Sequence, residues 1–182
     1  ALRALPQVDW KVEGRDPLHW AIKGFREDRR HLIAELIKAG SPVDGHALYL
    51  AGRFHPSLLA NIPDPNVFTP SNARAIDNGL LDAARTGRSD DILRFLRLGA
   101  NPETADYYHG HEGWNSLHLV CDRCDWEAFQ SLLTVFISIH RLTNDGKTAL
   151  DLLALSEVAK KNPEAAAKIR VKLEERKKRY PT

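Results

Sequence analysis

The sequence predicts an all-α fold built from repeated units, and three observations carry that expectation. A phrase recurs at a fixed interval: Gly113-Trp114-Asn115-Ser116-Leu117-His118-Leu119-Val120-Cys121 returns as Gly146-Lys147-Thr148-Ala149-Leu150-Asp151-Leu152-Leu153-Ala154, and the two glycines are 33 residues apart. Self-similarity at a fixed period of a few tens of residues marks chains that stack like units on one another. Apolar residues fall at helical spacing, as in Leu32, Ile33, Leu36 and Ile37, which is the pattern of a core-facing stripe. Glycines follow the apolar runs at Gly40 and Gly99, where a left-handed residue can close a helix.

Two further copies of the phrase are present. One is Asp16-Pro17-Leu18-His19-Trp20-Ala21, and the other is Leu80-Leu81-Asp82-Ala83-Ala84-Arg85-Thr86-Gly87, continuing through Ile92 to Leu96 and on to Gly99-Ala100-Asn101-Pro102. In wording and period the chain resembles the ankyrin repeat family over roughly three quarters of its length. The resemblance implies a solenoid of stacked antiparallel helix pairs, each followed by a β-hairpin-like finger. About five units are expected, near 14–44, 45–77, 78–110, 111–142 and 143–162, the second degenerate. A lead-in over 1–13 and a C-terminal capping helix with a basic tail over 163–182 flank them. One helix pair cannot bury its own apolar face, so stacking neighbours supply the core.

Composition bounds the function classes. The 182 residues are 43% apolar, enough for a packed core, and 26 basic against 24 acidic side chains leave a net charge of +2. That balance argues against a general nucleic-acid or membrane-surface protein and makes any charge effect local. Two cysteines, Cys121 and Cys124, cannot make a disulfide framework and point to a reducing compartment. No apolar run reaches the roughly 18 residues of a membrane span, and no charged-then-apolar leader opens the chain. The expected location is the cytoplasm, with a secreted effector acting in a host cytosol as the alternative. The absence of methionine points to a trimmed or processed chain.

The elements follow in order. Residues 1–14, with Leu2, Leu5, Val8, Trp10 and Val12, are expected to cover the open end of the first repeat. Helices are expected around Pro17–Lys23 and His31–Lys38, Pro17 suiting a first turn where its missing N–H costs nothing. Between them Gly24–Arg30 makes a polar, outward-bulging loop. In 45–77, Ala47–Ala51 and Ser57–Ala60 can supply two short helices, but Pro56, Pro63, Pro65 and Pro70 bar helix interiors, so part of the segment is loop. Residues 78–106 have standard length, and Arg88-Ser89-Asp90-Asp91 offers N-cap residues to the second helix. Repeat four continues through Asp125-Trp126-Glu127 and Phe129 to Ile137, and repeat five starts at Thr143. A last helix runs from about Glu164 to Arg179, acidic at its start and basic at its end as the helix dipole favours, with Ile169 and Leu173 closing the core.

Candidate chemistry is sparse. His118, Cys121 and Cys124 sit close in sequence with His109 and His111 upstream, but structural zinc sites pair two such half-motifs. The resemblance offers another account. It places His118 and His19 at the histidine whose implied role is a hydrogen bond tying finger to helix. It places Cys121 at a small buried position and Cys124 at the inter-helix glycine; free cysteine commonly replaces a small buried apolar residue. A metal-binding or redox protein using His118, Cys121 and Cys124 is the alternative reading. There is no phosphate loop, G-x-S-x-G or H-E-x-x-H, so no enzyme, cofactor or metal is expected. The basic runs Arg26–Arg30 and Arg176–Arg179 read as solvated faces, and neither nucleic acid nor an anionic lipid is the expected partner.

The resemblance implies a protein–protein interaction module, a binding or adaptor domain that stands alone or forms part of a larger protein or effector. Its expected partner is another protein, which no residue names. The expected contact residues are Tyr107, Tyr108, His109, His111 and Trp114 in a finger longer than standard, since Tyr and Trp are enriched in interface hot spots. Lys23, Arg85, Asp122 and Arg123, the polar residues that follow the Ala-Ala position of each first helix in the repeat register, are expected to add a polar rim.

Overall fold

The computed structural model describes residues 16–24, 30–55, 58, 62–63 and 70–181. Among them every regular element is a helix, and the fold class is all-α. The expected lead-in over 1–13, most of the Gly24–Arg30 loop and the Ser57–Ala60 helix other than Leu58 lie outside the described residues. The chain divides into two compact units, 1–72 and 73–182.

The first unit contains α1 (Pro17–Lys23), α2 (Arg30–Lys38) and α3 (Gly45–Phe54). Asp16 caps α1, its Oδ1 accepting from the Leu18 N–H at 2.7 Å. Asp44 caps α3 by accepting from the Ala47 N–H at 2.8 Å. α1 packs on both α2 and α3, burying Leu18, Ile22, Ile33, Ala47, Leu48 and Ala51. The expected stripe on α2 needs correction: Ile33 is buried, but Leu32 is 41% exposed and Leu36 and Ile37 are half-buried. Neighbouring residues point more than a quarter turn apart on a helix, so a single contact line buries only one of Leu32 and Ile33.

The second unit begins within α4 (Pro70–Thr86), a 17-residue helix that runs unbroken past Asn78. It continues with α5 (Ser89–Arg97), α6 (Ser116–Asp122), α7 (Trp126–Leu132), α8 (Ala149–Leu155), α9 (Glu157–Lys161) and α10 (Pro163–Arg179). α5 packs on α7 and α7 on α10, while α6 packs on α8; α6–α7 and α8–α10 contacts join the two rows. Phe95, Phe129, Leu117, Val120, Leu132, Leu153 and Ile169 fill the space between them.

The caps repeat as the sequence phrase does. Asn115 and His118 form a capping box at α6, and Thr148 and Asp151 form one at α8. Helix ends repeat too. Gly99 has φ of 88°, its N–H donating to the Leu96 carbonyl while the Ala100 N–H donates to the Phe95 carbonyl, both at 3.0 Å. At the end of α6 the same two bonds form around Cys124, from its N–H to the Cys121 carbonyl at 3.0 Å and from Asp125 to Val120 at 3.3 Å. There a non-glycine residue holds φ of 51°.

One local expectation fails for a reason of chain geometry. No side chain caps α5: the tight turn at Gly87, with the Arg88 N–H on the Ala83 carbonyl at 3.0 Å, delivers Ser89 already inside the helix. Asp90 and Asp91 lie in the first turn instead, where carboxylates favour the dipole. α7 ends at Leu132. The Ser131 hydroxyl donates to Glu127 at 3.1 Å and the Thr134 hydroxyl to Ser131 at 2.7 Å, competing with the helical ladder for its carbonyls.

Candidate functional site

The long finger between α5 and α6 is closed at its base by two backbone bonds of Asp106. The Asp106 N–H donates to the Trp114 carbonyl at 2.6 Å, and the Gly113 N–H donates to the Asp106 carbonyl at 3.0 Å. Gly110 and Gly113 hold φ of 89° and 79°, which L side chains rarely adopt. The Glu112 side chain accepts from the Gly110 N–H at 3.0 Å, and backbone N–H bonds hold its carboxyl below the usual range. The neighbouring connection docks on the finger through Asn144, whose N–H donates to the Glu112 carbonyl at 3.3 Å.

Arg85, in the last turn of α4, supports the finger from below. Its guanidinium pairs with Asp82 one turn earlier and donates through Nη2 to Asp106 Oδ2 at 2.6 Å. The same guanidinium lies 4.7 Å from the centre of the Tyr108 ring, within cation–π range. Asp106 is only 4% exposed and also accepts from the Tyr108 N–H at 3.0 Å through Oδ1. His111 Nδ1 stands 3.7 Å from Asp106 Oδ2, and the His111 and Trp114 rings lie 4.6 Å apart. Burial raises the Asp122 carboxyl pKa, opposed by the nearby His111 and Arg123.

The five finger residues singled out from the sequence therefore divide. Tyr108, His111 and Trp114 pack on the Arg85–Asp106 pair or on one another. Tyr107 stands 83% exposed, and His109 beside it is exposed. Of the expected rim, Arg85 is structural support and Asp122 neighbours His111. Arg123 instead lies over the α4–α5 turn, where a Cβ at Gly87 would meet its Nη2 at 2.8 Å. Lys23 belongs to the first unit. Sequence reasoning missed Asp82 and Asp106, the two carboxylates that fix Arg85; the signal for Asp82 was its i, i+3 spacing to Arg85.

It also missed a groove in the first unit. A cavity of about 830 Å³ opens between α1 and α3, lined by Trp20, Lys23, His46, Tyr49, Arg53 and Phe54 among others. Arg53 donates to the Tyr49 hydroxyl at 2.7 Å and lies 5.5 Å from the Phe54 ring centre. His19 donates to Asp44 at 2.9 Å and sets its ring edge-on to His46 at 4.9 Å.

His118 is fully engaged. Its Nδ1 accepts from the Asn115 N–H at 3.1 Å, so Nε2 carries the proton and donates to the Arg141 carbonyl at 3.0 Å. Burial lowers its pKa, which favours this neutral form. The Cys121 thiol is buried and its pKa pushed far upward by desolvation. The Cys124 thiol is raised by burial as well, and its Sγ lies 3.8 Å from the Asn162 carbonyl. Among the described residues no three His, Cys, Asp or Glu side chains converge where they could hold a metal, and no helix is long and apolar enough to cross a membrane. No family model and no curated protein matches this chain.

Proposed function

We propose that this protein is a non-catalytic protein-binding module, an ankyrin-type repeat array whose long finger presents Tyr107 and Tyr108 to another protein. The observation that carries the reading is Tyr107: a large aromatic side chain held 83% exposed on a finger whose base is fixed by buried charge and backbone bonds. An isolated exposed ring on a floppy loop would lose much of its binding energy in ordering. A ring on a braced finger has that ordering already done, and tyrosine is a favoured anchor in interface hot spots.

Around it the Tyr108 ring, held on Arg85, and the exposed His109 supply a polar and aromatic surround. The ankyrin-type reading is supported by the recurrence of the capping box from Asn115 and His118 to Thr148 and Asp151, at the period of the sequence phrase. A cytosolic setting suits the two free thiols. A photo-crosslinking amino acid at position 107, compared with one at the exposed Gln130 of α7, tests the reading. Covalent capture of a defined protein from position 107 alone is the expected result; equal or absent capture from both positions would contradict it.

A further inference from the structure

The end of α10 differs in character from the rest of the chain. Residues 157–182 carry nine basic and four acidic side chains, a net of +5, whereas the whole chain carries +2. Four of the nine form the last turn of α10: Arg176, Lys177, Lys178 and Arg179. Arg176 is half-buried and donates to the Leu133 carbonyl at 2.9 Å. Lys177, Lys178 and Arg179 are exposed, and among the described residues no salt bridge holds them. The acids nearby are largely committed: Glu175 pairs with Lys172 at 2.8 Å, and Asp151, close enough to Lys177 to feel its charge, serves the α8 capping box. Glu174 is the remaining exposed carboxylate.

Two rings stand beside these cations. Phe136 is 78% exposed and Tyr180 is 50% exposed, their centres 6.3 Å apart and their planes at 86°. The bond from Arg176 to Leu133 and the bond from His140 Nε2 to the Tyr180 carbonyl, at 2.8 Å, tie the helix end to the loop after α7. Rings and cations thus share the C-terminal end of α10, the cations fanned around its axis.

We propose that this end of α10 docks end-on to an anionic phospholipid surface, with Lys177, Lys178 and Arg179 on the headgroups and Phe136 and Tyr180 at the headgroup–acyl boundary. Neither signal anchors well alone, and a basic cluster adjoining exposed apolar side chains supplies both. Single-stranded nucleic acid is the other polyanion such a surface could meet, but it stacks bases on ring faces. That mode also calls for a basic groove that follows the strand, whereas here the cations belong to the last turn of a single helix. The proposal uses none of the finger residues and stands apart from the protein-binding reading.

Co-sedimentation of the full chain with phosphatidylcholine vesicles, with and without phosphatidylserine, tests it. Binding to the anionic vesicles, released by added salt, is expected, with none to neutral vesicles. Lys177→Ser with Lys178→Ser should weaken it on the order of thirtyfold. Phe136→Ser with Tyr180→Ser should weaken it about tenfold while leaving the salt dependence in place; Phe136→Ser alone serves if the double variant folds poorly. Equal pelleting with neutral vesicles, binding unchanged in the variants, or no vesicle binding beside tight binding to oligothymidylate would each overturn the proposal.

Discussion

Arg85 Nη2 lies 2.6 Å from Asp106 Oδ2 and joins the last turn of a helix to the base of the long finger 21 residues on. With Asp106 only 4% exposed, the pair is a brace whose removal strands a charge. Arg85→Ala should therefore lower stability by about 3 kcal/mol, the usual consequence of deleting one partner of a buried ion pair. Arg85→Lys should recover only part of it, because a single ammonium cannot fork between Asp82 and Asp106. Chemical denaturation measures both. A loss within the range of a surface salt bridge, under about 1 kcal/mol, would mean that the brace does not hold the finger.

Gly79 lies inside α4, where replacing glycine by alanine ordinarily stabilises a helix by about 1 kcal/mol. A Cβ at Gly79 would instead overlap the ring of Phe95, which is completely buried. Overpacking of this kind costs about 1–3 kcal/mol, so steric overlap should win and Gly79→Ala should lower the melting temperature. A more stable variant would show that Phe95 has room to move.

Cys124 occupies the left-handed position that glycine holds at Gly99, with the same two closing bonds. Cys124→Gly removes a backbone penalty of about 1–2 kcal/mol at the loss of one small buried thiol, and should leave stability nearly unchanged. Cys124→Val keeps the bulk but forces a β-branched residue into the same backbone, and should be less stable than the glycine variant by about 2 kcal/mol. Equal stabilities of the two would argue against strain at this position.

The regular part of the fold was legible because local chemistry decides it. Pro17 marks the start of α1, which has the expected bounds, whereas the caps at Asp16, Asn115 and Thr148 stand inside the repeated phrase without having been read as caps. Cys121 and His118 were readable from the family resemblance, which implied a small buried residue and a hydrogen-bonded histidine at these positions; Cys121 is buried and His118 is hydrogen-bonded. The end of α7 was not legible, because Ser131 and Thr134 act through carbonyl competition that apolar periodicity does not register. The finger was readable as a cluster of rings but not as a braced structure. Its brace depends on Asp106 meeting Arg85 across 21 residues, a tertiary contact with no local signature. The α1–α3 groove was hidden for the same reason, since its two walls come from separate helices.

His118 should make stability depend on pH in a particular direction. Burial is the largest influence on it and lowers its pKa, so between that lowered value and the ordinary value of about 6.5 the unfolded chain binds more protons than the folded one. Stability then rises with pH across this window, is fully present above about 6.5, and falls on acidification. His118→Gln should be less stable at neutral pH, because the Asn115 and Arg141 partners are poorly met, yet should show a shallower decline between about pH 6.5 and 5. Denaturant titrations of both proteins across that range check the slope; identical slopes would remove His118 as the source.

The reading of the finger as a binding element rests on Tyr107 and Tyr108, and parallel affinity capture with the wild-type chain and with Tyr107→Ala, Tyr108→Ala tests it most directly. Tyr107 is almost wholly exposed, and the ring of Tyr108 contributes through an exposed cation–π contact, worth about 0.5–1 kcal/mol. The double variant should therefore melt close to wild type. Proteins captured from the source cell by the wild-type chain and identified by mass spectrometry should bind the variant on the order of thirtyfold more weakly, a loss of about 2 kcal/mol. A variant that melts far below wild type yet captures the same proteins with equal affinity would show the rings to be structural and the partner surface to lie elsewhere.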